Sequence, residues 1–212
     1  WHFQTTHHDL WDRDNGSPPN LVTIKRDGKE IDAVALVTKM GYLFLFDRET
    51  GKSLYGVNEV PVDTVSSMPG EKPWPTQPIP TNPPFARQGY DEKYFGRSSP
   101  WIKEEIAKNK YKTGVYEPPN MEGIIMLPTA HGGSNWGGAS VNPNTNMLFV
   151  NATDIPMILK LTDLKKIRAA NQLNPEILFR TYCSNCHGAD KKGTAIGPDL
   201  TSRVKNYRPA QI

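Results

Sequence analysis

The chain opens as a series of short apolar runs broken by polar turns, the pattern of a β-rich protein. Ala33 to Val37 and Tyr42 to Phe46 read as strands, and the polar stretch Asp47 to Gly51 turns the chain back through Ser53 to Tyr55. This predicts a hairpin of the kind that builds a four-stranded sheet unit. Gly138 to Val141, the turn Asn142 to Asn146 and Met147 to Val150 repeat the arrangement, and two related hairpins suggest a radial repeat. Between them, Val60 to about Pro119 is rich in proline and aromatic residues, among them Pro73, Trp74, Pro75, Pro83 and Pro84. Its aromatics need burial, so it is expected as a long ordered excursion, with one charged helix over Trp101 to Lys110. After Leu161 the period changes, with Leu161, Leu164, Ile167 and Ala170 at three-residue spacing among Lys and Arg. From Pro175 to Cys186, Phe179, Tyr182, Cys183 and Cys186 fall on one face of a helix. The expected layout is a β-rich unit over 1–160, a linker over 161–174 and a helical unit over 175–212.

Composition supports that picture: 19 Pro and 17 Gly in 212 residues favour short strands and long loops. The formal charge of +3, from 25 basic and 22 acidic residues, is spread along the chain, so nothing suggests nucleic acid or anionic lipid as a partner. No run of 18 apolar residues occurs, so no membrane span is expected within the chain. Residue 1 is Trp and no signal peptide follows it, so further sequence is expected ahead of it.

The only two cysteines, Cys183 and Cys186, stand three residues apart, which points to one local use for both. Three chemistries fit such a pair: a redox disulfide, half of a zinc site, or thioether attachment of haem. Zinc needs further ligands, yet the nearest other His is His131 and no cysteine remains. A thioredoxin-like pair sits between a strand and a helix, whereas here a helical pattern precedes the pair and His187 follows it at once. Haem needs two thiols one helical turn apart and an imidazole beside them, which Cys183, Cys186 and His187 supply. That use ranks first, ahead of the other two. The surrounding residues, an aromatic-bearing helix, Gly188, and then Gly197-Pro198-Asp199-Leu200, resemble the cytochrome c family over about the last forty positions. The resemblance implies Cys183 and Cys186 as the haem thioethers and His187 as the proximal iron ligand. Every Met from Met40 to Met157 precedes the motif, so the sixth iron ligand stays unassigned.

The opening stretch packs His7, His8, Asp9, Trp11, Asp12 and Asp14 into a few residues. Asp with His serves hard-cation binding or acid/base work, but a solvated charged turn explains the spacing equally well. The wider pattern is more specific. Trp1-x-Phe3-Gln4-Thr5-x-His7-His8-Asp9-x-Trp11-Asp12 resembles the pyrroloquinoline quinone (PQQ) dependent dehydrogenases, particularly the sugar-oxidising group. The likeness continues through Lys39 to Lys52, Pro75 to Pro78, Glu117 to Pro119 and Asn135 to Gly138, covering about residues 1–160 in the family's order.

That resemblance implies an eight-bladed β-propeller holding the quinone and a Ca²⁺-like ion near its axis. It implies Asp12 as the general base for the substrate hydroxyl and Lys39 as the cation facing the quinone oxygens. Relatives that oxidise simple alcohols carry Arg at the Lys39 position, so Lys39 leans towards sugars. Asn135 matches an amide near the cofactor, Trp136 a wall of the pocket, and Asp14 a place where lanthanide-using relatives carry a metal carboxylate. His8 and Asp9 are placed to orient the base. Apart from the resemblance, Lys39 also reads as a solvated strand-edge lysine and Trp136 as a residue packing between sheets.

The expected fold is mainly β, part of an eight-bladed β-propeller followed by the start of an α-helical cytochrome c domain. The expected function is that of a periplasmic quinohaemoprotein dehydrogenase oxidising a sugar or other alcohol. Its cofactors are PQQ, haem c and Ca²⁺ or another divalent or lanthanide ion, and a respiratory cytochrome or quinone is its acceptor. These 212 residues alone are expected to be inactive. The competing reading is an electron-transfer module whose propeller portion is degenerate and non-catalytic.

Overall fold

The computed structural model describes residues 1–93, 100–169, 174–195 and 197–203. The chain divides into two units, Trp1–Leu161 and Thr162–Ile212.

In the first unit, strands β1 (Asn20–Arg26), β2 (Lys29–Val37) and β3 (Leu43–Asp47) form an antiparallel sheet in the order β1-β2-β3. The inner end of β2 alternates as the pleat requires, with Ala33, Ala35 and Val37 buried and Val34 and Leu36 only partly so. The predicted hairpin is β2 with β3, in a register that sets Ala35 opposite Leu45. The turn after β3 forms because Asp47 Oδ1 accepts from the backbone N–H of Glu49 at 3.0 Å and of Thr50 at 2.8 Å. The return makes a single bridge, Phe46 with Ser53, with Leu54 N–H donating to the Leu45 carbonyl, so the fourth strand of the unit barely begins.

The second predicted hairpin is β8 (Ala139–Asn142) with β9 (Met147–Val150), antiparallel, joined at Asn142 to Met147. The Pro-rich excursion is ordered as expected where described. It contains the pair β4 (Val57–Pro61) and β5 (Thr76–Pro80), helix α1 (Pro100–Asn109) and β6 (Lys112–Gly114). Its Tyr116 is buried, whereas Trp74 stays half exposed. β7 (Ile124–Met126) lies between β6, parallel, and β10 (Met157–Leu159), antiparallel, and as a central strand all three of its side chains are buried.

The main core joins Trp11, Met40, Tyr42, Phe44, Phe46, Val115, Tyr116 and Met126. The opening segment is pinned to it: Phe3 packs on Phe46 at 4.8 Å between ring centroids, and Trp1 Nε1 donates to the Arg48 carbonyl at 2.9 Å. The fully buried Gln77 holds both main-chain groups of His7, accepting from its N–H and donating to its carbonyl, each at 2.8 Å.

The second unit contains α2 (Leu164–Ala169), α3 (Pro175–Leu178), a π-helical turn (Phe179–Cys183), α4 (Ser184–His187) and α5 (Leu200–Arg203). Of the predicted three-residue spacing, Ala170 lies outside the described residues, as do residues 204–212 of the expected helical unit. α3 starts where Asn174 caps it, its side chain accepting from Glu176 N–H at 2.9 Å, with Pro175 at the first helical position. The predicted helix through Cys186 is present, but not with one straight face. Ser184 N–H bonds back to the Phe179 carbonyl, the i+5 pattern of a π turn, and the wider turn carries Tyr182 off the stripe. Tyr182 is accordingly 76% exposed, while Phe179 and Cys183 stay partly covered.

Candidate functional site

The segment from Asp9 to Asp14 is shaped by one carboxylate. Asp9 accepts from Trp11 N–H at 2.9 Å through Oδ1 and from Arg13 N–H at 2.5 Å through Oδ2. Between those two amides Asp12 adopts φ +63°, a left-handed conformation that Asp tolerates better than most residues. Trp11 anchors one side, its indole N–H donating to the Glu117 carbonyl at 2.7 Å and its ring edge-on to Tyr116 at 5.2 Å. Arg13 anchors the other and is buried, and its guanidinium donates to the carbonyls of Val115, Pro128 and Thr129 at 2.8–3.0 Å. Burial pushes its pKa down to about 10. The alternating inward residues Trp11 and Arg13 leave Asp12 and Asp14 facing out.

Opposite lies the β2–β3 connection. Thr38, Lys39, Met40, Gly41 and Tyr42 are all buried, unusual for a turn, since loops ordinarily keep their backbone groups in water. The connection closes on itself: Gly41 N–H donates to the Thr38 carbonyl at 3.0 Å and the Thr38 hydroxyl to the Tyr42 carbonyl at 2.9 Å. Lys39, at its tip, has a side chain 6% exposed, and its Nζ stands 2.5 Å from Asp14 Oδ1 and 3.2 Å from Asp12 Oδ2. A buried ammonium persists when it is paired and hydrogen-bonded, as here. Burial alone lowers the Lys39 pKa, but hydrogen bonds with Asp14 and Asp12 outweigh it, so the net direction is upward. The Lys39 hydrogen bond is likewise the largest cause holding the Asp14 carboxyl below its ordinary value.

The sequence therefore names Asp12, Asp14 and Lys39 separately, and the structure gathers them into one cluster. Asn135 turns inward, its Nδ2 donating to the His131 carbonyl at 3.0 Å, while its Oδ1 is buried with no hydrogen-bond partner. Trp136 is 84% exposed in this chain. His8 is exposed and does not touch Asp12 through any hydrogen bond in the structure; Asp9 does the orienting. Sequence reasoning missed Arg13, Gly132 and Gly133. Gly133 N–H donates to the Lys39 carbonyl at 2.8 Å, and Gly132, at φ +84°, presses on Lys39 so closely that an added Cβ would lie 2.6 Å from its Cγ. The Gly-Gly pair itself is the signal that marks this close approach.

In the second unit Cys183 is partly buried and Cys186 exposed, and no disulfide joins them. His187 Nδ1 lies 2.9 Å from the Pro198 carbonyl, which can only accept, so Nδ1 is the donor and Nε2 is the ring nitrogen left to face a metal. Gly197 makes this possible: a Cβ there would lie 2.5 Å from the Cys186 carbonyl oxygen and 3.1 Å from His187 Nδ1.

These groups fit the cofactors unequally. Lys39 has three N–H donors and spends two on Asp14 and Asp12, which leaves one for a quinone oxygen. The Cys183, Cys186 and His187 arrangement fits a covalently held haem with imidazole ligation. A Ca²⁺ ion takes six to eight oxygen ligands, whereas among the described residues no group of three or more His, Cys, Asp or Glu side chains converges to hold a metal. Asp12 and Asp14 supply at most a part of such a shell, and the Lys39 ammonium already stands against both.

The β-rich build of the first unit agrees with the family match. The chain belongs to the glucose/ethanol/alcohol dehydrogenase β-propeller family, whose model matches residues 1–196, a span that includes Cys183 to His187. It is 33% identical over 168 residues to the quinoprotein glucose dehydrogenase of Gluconobacter oxydans (strain 621H), covering 76% of this chain and 20% of that protein. It is 35% identical over 173 residues to the glycerol dehydrogenase large subunit of the same organism, covering 78% of this chain and 23% of that protein. The solved structure of quinohemoprotein alcohol dehydrogenase from Comamonas testosteroni aligns with 76% of this chain and 18% of its own length, at 24% identity and a TM-score of 0.43. The chain thus spans about a fifth of the length of the curated relatives it matches.

Proposed function

We propose that this chain serves a periplasmic quinohaemoprotein dehydrogenase that oxidises a hydroxyl of a sugar or other alcohol to the carbonyl. The observation that carries the reading is Lys39, a buried ammonium held between the exposed carboxylates of Asp12 and Asp14 at the end of a sheet unit. PQQ, when bound, supplies the hydride acceptor. Asp12, 67% exposed at its side chain and fixed in direction by the Asp9 clamp, takes the proton from the substrate hydroxyl as the carbinol carbon gives up hydride. Lys39 offers its remaining N–H to a quinone oxygen and neutralises charge that develops there. Asn135 and Trp136 belong to the same end of the unit through the loop that continues from Gly132 and Gly133, and are read as cofactor contacts. Asp12 and Asp14 would offer two carboxylates to a Ca²⁺, other divalent or lanthanide ion, and the rest of its shell would come from other oxygen ligands.

Cys183 and Cys186 would hold a haem c and His187 would bind its iron, and that group would supply one-electron transfer towards a respiratory cytochrome or quinone. The eight-bladed closure of the propeller and a cytochrome c domain over 175–212 are part of this proposal, with 161–174 as the linker.

The test is absorbance of the full-length protein reconstituted with PQQ and Ca²⁺. Sugar or alcohol is expected to bleach the quinone band and then sharpen the haem bands, and Asp12→Asn to abolish both. Haem that reduces only with dithionite would leave the chain an electron-transfer module and sink the reading.

A further inference from the structure

We propose that Arg13 is a positioning residue whose buried guanidinium, by gathering the carbonyls of Val115, Pro128 and Thr129, fixes Asp12 against Lys39. The proposal rests on Asp12 and Lys39 being the working pair.

Arg13 is 1% exposed, which for a side chain of this kind demands a dedicated use, since Arg is almost never fully buried without partners. It makes no ion pair among the described residues, so its partners are main-chain carbonyls: Nη1 donates to Thr129 at 2.8 Å, and Nη2 to Val115 at 3.0 Å and to Pro128 at 2.8 Å. Those carbonyls sit more than one hundred residues along the chain, on segments that otherwise have no covalent reason to meet residue 13.

The contacts close a ring. The Thr129 carbonyl that receives Arg13 Nη1 also receives Gly132 N–H at 2.8 Å, and the next residue, Gly133, donates its N–H to the Lys39 carbonyl at 2.8 Å. From Lys39 the ring returns through Nζ to Asp14 at 2.5 Å and Asp12 at 3.2 Å, the two neighbours of Arg13 in sequence. Both sides of the Asp12–Lys39 pair are therefore referred to one short segment, Pro128 to Gly133, and Arg13 is the side chain that ties the Asp12 side to it. Planar geometry matters here. A guanidinium reaches three carbonyls from fixed, planar directions, whereas an ammonium on a flexible stem has no such preset fork to match the same acceptors.

The experiment uses the full-length protein carrying Arg13→Met or Arg13→Lys, assayed well below each variant's melting temperature. Turnover is expected to fall about tenfold to hundredfold with KM little changed, because misplacing a reacting group by about 1 Å costs on that order. Arg13→Lys is expected to recover part of the loss. In the apoprotein, acylation of Lys39 followed by peptide mass spectrometry is expected to speed up about tenfold in Arg13→Met, on the same scale of displacement, as Lys39 parts from its carboxylates. In combination with Lys39→Ala, Arg13→Met is expected to add nothing further to the loss of turnover. Wild-type kcat and Lys39 labelling in a folded Arg13→Met protein overturn the proposal, as does a loss that simply multiplies with that of Lys39→Ala. Failure of both substitutions to fold assigns Arg13 to folding alone and overturns it too. If Asp12→Asn and Lys39→Ala themselves leave kcat intact, it is the functional reading that has failed instead.

Discussion

Asp9 and Arg13 are joined by a single short contact, Asp9 Oδ2 to Arg13 N–H at 2.5 Å, and the turn that presents Asp12 is folded inside it. With its other oxygen on Trp11 N–H, Asp9 works as a main-chain clamp. Asp9→Ala removes two charge-assisted hydrogen bonds at a partly buried turn and is expected to destabilise the protein by about 1.5 kcal/mol. Asp9→Asn keeps an acceptor for one amide and is expected to lose less. Thermal melts of both variants check the order, and turnover of the full-length enzyme should fall in the same sequence, since Asp12 loses its fixed direction.

Lys39→Met leaves Asp12 and Asp14 facing an apolar side chain and removes the donor proposed for the quinone oxygen. Loss of such a donor lowers kcat by about 10²–10³-fold in comparable sites. Steady-state kinetics of the reconstituted full-length protein measure it. A drop of less than about threefold contradicts the assigned role of Lys39.

The Lys39–Asp14 pair also has a pH signature. Asp14 is held below its ordinary carboxylate value, so its contribution to stability is present above a pH of about 4 and disappears as the pH falls through its own lower value. Lys39 is held above its ordinary value, so its contribution is complete below about 10.5 and disappears as the pH rises through its own higher value. The stability difference between the wild type and Asp14→Asn is therefore expected to be flat from about pH 5 to 10 and to shrink at both ends. Because Asp14 is 63% exposed at its side chain, the plateau is expected at about 1 kcal/mol or less. Urea titrations across that range provide the curve, and a plateau that grows towards acid would contradict the sign.

Gly132→Ala combines a positive φ with a collision against the Cα, Cβ and Cγ of Lys39, within 2.7 Å of each. Neither partner can yield, because Lys39 lies in a buried turn. The substitution is expected to destabilise by about 2 kcal/mol and to reduce turnover more than its neighbour-free equivalent Gly28→Ala, which meets nothing within 4 Å. Paired melts and rates separate the two.

At the haem motif, Gly197→Ala is expected to leave covalent attachment intact, because Cys183 and Cys186 are untouched, while driving the Pro198 carbonyl away from His187 Nδ1. Haem staining of the denatured protein should persist and the midpoint potential should rise, since a weaker hydrogen bond makes a less basic imidazole. An unchanged potential removes Gly197 from any part in tuning the iron.

Much of this architecture was legible in the residues. The β2–β3 and β8–β9 hairpins announce themselves through alternation and turn chemistry, and α1 falls within one residue of the stretch expected for it. Asp12, Lys39 and Asp14 are each singled out by the family resemblance, since spacing alone fits a solvated charged turn as well. What pattern could not supply is their meeting, which depends on a buried turn and on a clamp made of main-chain amides. β1 was missed because it lies at a sheet edge and its side chains are mostly half exposed or exposed, without a clean alternation. β7 was missed because three apolar residues in a row fit a strand or a buried helix equally well. Arg13 reads as one more charge in a charged stretch, since its partners are carbonyls and leave no trace in residue identity.

The buried connection from Thr38 to Tyr42 carries a consequence for how this protein can change. Surface loops absorb insertions and deletions easily, but a turn with every residue interior has a fixed length, because one added residue would thread Lys39 past its carboxylates and push Met40 out of the core. Variants are thus free to lengthen the chain at an exposed turn such as Asp27–Gly28, and at this tip only to exchange one side chain for another of like size.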